Sequence, residues 1–209
     1  MNSVQYFDSI AAKWNVIRSE YFEERLKYKL LSIYDLRDKV VADLGCGTGF
    51  VSLALAREAS LVFSIDNSVN MLKELKKTSL KEKVKNIYPI KSSLDNLPLF
   101  DESLDGTFIN MALHHIKEPW KAIKEMYRVI KEEGIVVISD VMEHDGQWAR
   151  EEMFDEWLGF SNDQIFQWLK EAGFKNIEIE NTDLRCKGYS SKGQYTETGI
   201  FIATAVKKL

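Results

Sequence analysis

Cysteine is scarce in this chain of 209 residues: Cys46 and Cys186 are too few for a disulfide framework or a cysteine-based zinc site. Free thiols at that frequency suit a reducing compartment, so a cytoplasmic location is expected. Long apolar runs are also missing. The most apolar strand-like stretch, residues 134–139, is far too short to cross a bilayer. The first fourteen residues carry Asp8 and Lys13 inside a helical pattern and lack the apolar centre of a signal peptide, so no membrane partner is expected. Positive charge is not in excess. The formal net charge is −4, which gives a nucleic-acid partner no support. Internal repeats, low-complexity tracts and Gly/Ser linkers are absent, and the length suits one α/β domain better than two.

What is present is alternation. Apolar runs at 40–44, 61–65, 104–110 and 134–140 have the length and continuity of strands buried on both faces, and 87–90, interrupted by Pro89, is a weaker one. Helical periodicity fills the gaps at 50–58, 68–77 and 119–132. In the last of these, Pro119 opens the first turn, Trp120, Ile123, Tyr127 and Ile130 recur at helical spacing, and Gly134 follows the end. Ser161 and Gln164 form a capping-box pattern that opens a helix running to Ala172 and stopping at Gly173. Two β-rich runs, 176–180 and 199–206, close the chain, and two helical stretches, 4–14 and 21–34, precede the first strand. Strands alternating with helices imply right-handed crossovers and a mostly parallel sheet.

The strongest local signal is Val41-Ala42-Asp43-Leu44-Gly45-Cys46-Gly47-Thr48-Gly49-Phe50. Glycines between a strand and a helix let the backbone approach a ligand where side chains would collide. The spacing is not that of a dinucleotide fingerprint, because Phe50 is too large for close helix–strand packing. Asp66 ends the second strand, where a carboxylate beside the glycine loop can accept both hydroxyls of an adenosine ribose; it also suits a helix cap before Ser68.

Asp43-Leu44-Gly45-Cys46-Gly47-Thr48-Gly49 resembles the first motif of class I S-adenosylmethionine-dependent methyltransferases. Residues 63–72, 92–99 and 108–116 resemble, in order, that family's second-strand signature, adenine-side segment and fourth-strand motif. The matches span about half the chain and are most similar to the branch of ubiquinone and menaquinone biosynthesis methyltransferases. The resemblance implies a Rossmann-like, seven-stranded, mostly parallel sheet with the last strand antiparallel and helices on both faces. It also implies one domain: an N-terminal helical lid (1–35), a cofactor-binding half (36–140), and substrate-side helices with a final β-hairpin (141–209). S-adenosylmethionine would be the cofactor. Asp43, Gly45, Cys46, Gly47 and Gly49 would border its methionine part, Asp66 would hold the ribose, and Asn67 and Met71 would flank the adenine. Asn110 and Met111 would lie under the methyl-bearing sulfonium. Many relatives carry Asp where Ser93 stands, so adenine recognition would lean on Ser93 and the Leu94 backbone, with Asp95 a weaker candidate.

Methyl transfer from a sulfonium is an in-line displacement that needs alignment and exclusion of water rather than a fixed triad. Ligands of open α/β sheets sit outside the carboxyl ends of the strands, and three segments should reach that edge. In 140–151, His144 could act as a base, Trp148 could wall a substrate and Arg150 could pair with an anion; a solvated loop is the plainer alternative. Residues 182–198 form a long connection with Arg185 among several basic residues, which would suit either an anionic small substrate or a solvated hairpin. Tyr6-Phe7-Asp8 and Trp14 resemble the family's lid over the bound cofactor. His114-His115 looks like a metal pair, but no carboxylate or cysteine cluster completes a site, so no metal is expected; His115 could still approach the substrate. The expected activity is methylation of a small-molecule nucleophile. Methylation of tRNA or protein is one alternative, and a non-catalytic cofactor-binding sensor is another.

Overall fold

Every apolar run of the central region becomes a strand in the computed structural model, which describes residues 2–208. Helices α1 (Ser3–Ile10), α2 (Trp14–Tyr21) and α3 (Arg25–Leu31) precede strand β1 (Val40–Leu44). Then come α4 (Ser52–Leu55), β2 (Leu61–Asp66), α5 (Val69–Lys81), β3 (Ile87–Lys91) and β4 (Leu104–Asn110). A 3₁₀ turn at Leu113–His115 leads into α6 (Pro119–Val129), β5 (Ile130–Val141), α7 (Trp148–Glu152), α8 (Asn162–Ala172), β6 (Lys175–Tyr189) and β7 (Tyr195–Val206).

The strands form one seven-stranded sheet in the order β3-β2-β1-β4-β5-β7-β6. Neighbours among β1 to β5 pair in parallel, and β7 runs antiparallel to both β5 and β6. The Rossmann-like, mostly parallel sheet expected from the sequence is the one the chain adopts. Alternate residues of a strand face opposite sides, and two cores result. Ala42, Ile109 and Val136 pack with Met126 of α6 and Leu169 of α8 on one face. Val41, Phe108 and Val137 pack with Leu26 and Leu30 of α3 and Leu55 of α4 on the other. Strand order reverses between β1 and β4, so a crevice opens beyond their carboxyl ends, where the glycine loop and residues 110–112 meet.

Several boundaries differ from the sequence-based expectation, each for a local reason. α6 stops at Val129 rather than 132 because Glu102 and Ser103 donate their N–H groups to the terminal carbonyls of Arg128 and Val129, at 3.0 and 2.9 Å. Ile130, fully buried, then pairs with Leu104 and begins β5 early. The helix expected at 50–58 is α-helical only over Ser52–Leu55, its tail being held by i→i+3 bonds such as Arg57 N to Ala54 O. The largest difference lies at the end of the chain. Residues 182–198 are not a long connection: β6 and β7 continue through them, Arg185 pairing with Gly199 and Tyr189 with Tyr195, with a short turn at 190–194. A bulge between Asn181 and Arg185 and the alternating exposed polar residues of this edge strand disguise it. Among the described residues, no helix is long and apolar enough to cross a membrane.

Candidate active site

The glycine loop turns in left-handed backbone. Gly45 has φ +66°, and a Cβ there would meet the Ala112 Cβ at 2.5 Å; Gly49 has φ +93°, and its Cβ would meet Leu75 Cδ1 at 2.2 Å. Gly45 and Cys46 donate to the Ile65 carbonyl at 2.8 and 3.1 Å, clipping the loop to the end of β2. The Asp66 carboxylate completes the clip: it accepts the Gly47 N–H and the Ser68 N–H, both at 2.8 Å.

A cavity of about 310 Å³ lies on this loop. Asp43, Gly45, Cys46, Gly47, Asp66, Asn67, Met71, Ser93, Leu94, Asn110 and Met111 all line it. Gly49 does not; it faces a shallow groove on the other side, so its place is to turn the chain and pack on Leu75. Phe7 and Trp14 close the cavity from the N-terminal segment, whereas Tyr6 packs outside it against Phe7 and Phe154, at centroid distances of 5.2 and 5.4 Å. The segment is latched down by Asp8, which accepts from Ser68 Oγ at 2.6 Å and Asn70 N at 3.0 Å. Asn15 Oδ1 accepts from Thr48 Oγ1 at 2.7 Å.

Two carboxylates are held in this cavity. Burial pushes the Asp43 carboxyl up to about 7, against the opposing hydrogen bond from Ser52 Oγ at 2.5 Å. Burial likewise raises Asp66, against its backbone N–H donors. Arg18, which sequence reasoning missed, lines the same cavity. It is 7% exposed and its guanidinium lies 3.9 Å from the Phe50 ring centroid. Nη2 pairs with Glu24 at 2.6 Å, but Nε and Nη1 are buried with no hydrogen-bond partner among the described residues. Met111, at the far wall, has φ +51°, a rare conformation for a bulky side chain and a local strain at the cavity floor.

A second cavity of about 80 Å³ adjoins the first and shares Trp14, Phe22, Met111 and His115 with it. His144, Trp148, Tyr21, Cys186 and Lys187 line it as well. Trp148 is fixed by its indole N–H, which donates to Thr196 Oγ1 at 2.8 Å. Arg150 and Arg185 lie outside both cavities: Arg150 donates to the Glu156 carbonyl at 2.8 Å, and Arg185 lies beside Glu197 at 3.7 Å. For Arg185 the reason is the continued hairpin, whose alternation puts Cys186 toward the cavity and Arg185 toward solvent. Burial pushes the Cys186 thiol up to about 12, so it carries no thiolate.

The histidines of this cavity are unlike one another. His114 Nδ1 lies 2.5 Å from Asp140 Oδ1; burial lowers its pKa, but Asp140 and Asp155 more than offset this and hold it at about 9. Burial and the His114 charge hold His115 well below the usual range. His144 is lowered by burial, and its Nδ1 accepts from Gly146 N at 3.2 Å. The fold also corrects one expectation: Asp155, from the loop after α7, brings to His114 and His115 the carboxylate that their sequence neighbourhood lacked.

Comparison with known proteins agrees with this geometry. Residues 42–138 match the family described as a methyltransferase domain. A 2-methyl-6-phytyl-1,4-hydroquinone methyltransferase from Oryza sativa is 26% identical over 171 residues, 79% of this chain and 48% of the relative. The ubiquinone/menaquinone biosynthesis C-methyltransferase UbiE of Campylobacter jejuni is 34% identical over 117 residues, 53% of this chain and 48% of the relative. These matches support a class I S-adenosylmethionine-dependent methyltransferase. Its fold is shared by an S-adenosylmethionine-dependent methyltransferase from Aquifex aeolicus, with a TM-score of 0.69 at 23% identity over 95% of this chain and 97% of that one. The chain spans about half the length of the curated relatives it matches.

The residues present fit the family's cofactor. Buried guanidinium nitrogens without a partner call for an anion such as an amino-acid carboxylate. Carboxylates held from water with hydroxyl and amide donors, but no cation, call for an ammonium or for hydroxyl groups. Asp43 and Arg18 stand on opposite sides of that need, and a zwitterionic methionine joined to adenosine meets both.

Proposed function

We propose that this chain transfers a methyl group from S-adenosylmethionine to a small, largely apolar nucleophile of the phenol or hydroquinone class. The observation that carries the reading is the pair of adjoining cavities, one with the donor set just described and one with an aromatic wall, meeting at Met111 and His115. Relatives named for hydroquinone and quinone methylation support the acceptor class.

When bound, the cofactor supplies an electrophilic methyl group on its sulfonium. The chain's own residues do the rest. Of the residues lining the cavity, Asp66 would accept the ribose hydroxyls, Asn67 and Met71 would flank the adenine, and Ser93 with the Leu94 backbone would face its edge. Arg18 would pair the carboxylate and Asp43 the ammonium. Asn110, whose amide oxygen accepts from Ser139 Oγ at 2.7 Å, and Met111 would set the floor beneath the methyl group. Trp14, Tyr21 and Trp148 keep water out and align the acceptor. A neutral His144 that accepts at Nδ1 carries its proton on Nε2, so taking a proton from an acceptor requires the Gly146 bond to give way. Deprotonation of the acceptor is therefore not built around His144 alone.

The test is calorimetric titration with S-adenosylmethionine and S-adenosylhomocysteine, followed by incubation with a panel of small phenols, hydroquinones and thiols while S-adenosylhomocysteine release is followed. Binding of both ligands and acceptor-dependent release are expected. No heat from either ligand, with Asp66→Ala behaving like the parent, overturns the reading. Tight binding without release for any acceptor would make the chain a sensor instead.

A further inference from the structure

We propose that His114, His115 and Asp155 form a binding site for a divalent transition-metal ion of the zinc and cobalt class, open to the second cavity. Asp155 Oδ1 stands 3.2 Å from His115 Nδ1 and 3.9 Å from His114 Nε2, and the three potential ligand atoms all lie within 4.8 Å of one another. Two of them, His115 Nδ1 and Asp155 Oδ1, are buried and have no hydrogen-bond partner among the described residues, since their close approach lacks hydrogen-bond alignment. A buried donor or acceptor left unpaired is costly, and natural structures keep few of them without a reason. One cation between the rings satisfies both atoms.

The surroundings have the form of an outer coordination shell. Asp140 Oδ1 accepts the hydrogen bond from His114 Nδ1 at 2.5 Å, which leaves Nε2 facing Asp155, and an ion bound there displaces the Nε2 proton to solvent. A carboxylate behind a histidine orients the ring and raises its basicity as a ligand. Asp140 is itself fixed: its other oxygen accepts from Leu113 N at 2.9 Å and His114 N at 3.3 Å. The Asp155 loop is tied to the same turn, because Glu156 N and Trp157 N both donate to the His114 carbonyl, at 3.1 and 3.0 Å.

Two imidazoles and one carboxylate favour a borderline transition metal over magnesium or calcium, which prefer all-oxygen sites. A tetrahedral ion about 2.0–2.2 Å from each ligand sets the ligand atoms roughly 3.4 Å apart. The His115–Asp155 separation already meets this, and closing the others takes rotation of the imidazoles and movements of roughly 1 Å. Three protein ligands leave a fourth position, and all three line the second cavity. What the ion does there rests on the methyl-transfer reading: an acceptor hydroxyl or thiol in the fourth position would ionise near neutral pH without a dedicated base.

The experiment uses the full chain, free of added histidines and stripped with chelator, titrated with Zn²⁺ by calorimetry and with Co²⁺ by visible absorption. One equivalent of each ion and ligand-field bands from Co²⁺ are expected, with both signals lost in Asp155→Asn. Asp140→Asn should weaken Zn²⁺ binding by about 10- to 100-fold. S-adenosylhomocysteine binding, measured on the same samples, reports folding of the variants. If the parent binds neither ion, or Asp155→Asn binds them equally well, the proposal is overturned and the cluster is a closed proton network. Should a variant fail to fold, the titration of the parent decides. Zn²⁺ binding without any S-adenosylhomocysteine binding would sustain the metal site and sink the methyl-transfer reading.

Discussion

Arg18 lies with its guanidinium 3.9 Å from the Phe50 ring centroid, and Glu24 engages only one of its nitrogens. Nε and Nη1 are buried at the edge of the cavity with no hydrogen-bond partner among the described residues. Arg18→Met keeps most of the packing and removes the donors. A hydrogen bond to a charged group is worth about 1.5–3 kcal/mol, so affinity for S-adenosylhomocysteine should fall by roughly 10- to 150-fold. Calorimetry checks it; an unchanged dissociation constant would show that Arg18 serves only the packing of α2.

Asp66 clips the loop through Gly47 and Ser68, and in the proposed function it has a second duty toward the ribose. Asp66→Asn preserves the size of the side chain and one acceptor oxygen. Loss of a charge-assisted bond predicts a drop of about tenfold or more in cofactor affinity. Thermal stability with and without cofactor separates the two duties: if the apo protein melts as the parent does while the ligand-induced rise shrinks, the loss is in binding.

Asp43 makes the apo protein sensitive to alkali. Its folded-state pKa, about 7, lies above the ordinary carboxylate value of 3.8. The folded state therefore holds the proton more tightly than the unfolded chain does. The stabilisation this gives is complete below pH 3.8 and is lost as pH rises through about 7. Asp43→Asn should flatten the fall in apo stability between pH 4 and 7, read as denaturation midpoints across that range. An ammonium beside Asp43 reverses the preference, so cofactor binding near pH 6 should release a proton, detectable as binding heats that depend on the buffer's ionisation enthalpy.

Much of this site was visible in the sequence because backbone geometry demanded it. Only glycine tolerates the loop at 45 and 49, and only a short apolar run ending in Asp66 places a carboxylate beside it. What stayed hidden depends on contacts distant in the chain. Arg18 sits in an ordinary polar helical stretch, and only tertiary packing against Phe50 buries it. Asp155 follows a five-residue helix in a loop with no motif, yet the bonds to the His114 carbonyl bring it to the histidine pair. The final hairpin reads as a loop because β6 is an edge strand, wet and charged on its outer positions.

Asp8 joins the N-terminal segment to the first turn of α5 through Ser68 and Asn70. Asp8→Ala leaves Ser68 free to cap α5 through Met71 N, so the helix itself should persist. The expected change is faster proteolytic cleavage within residues 2–21 and roughly fivefold weaker cofactor binding, the worth of about 1 kcal/mol. Equal cleavage rates in both proteins would show that the latch contributes nothing to closure.

Trp14 belongs to the walls of both cavities at once. The two chambers thus have a common roof timber, so a change at that one indole would be felt in both. A displacement of the amino-terminal arm that unseats it would therefore wet both chambers together.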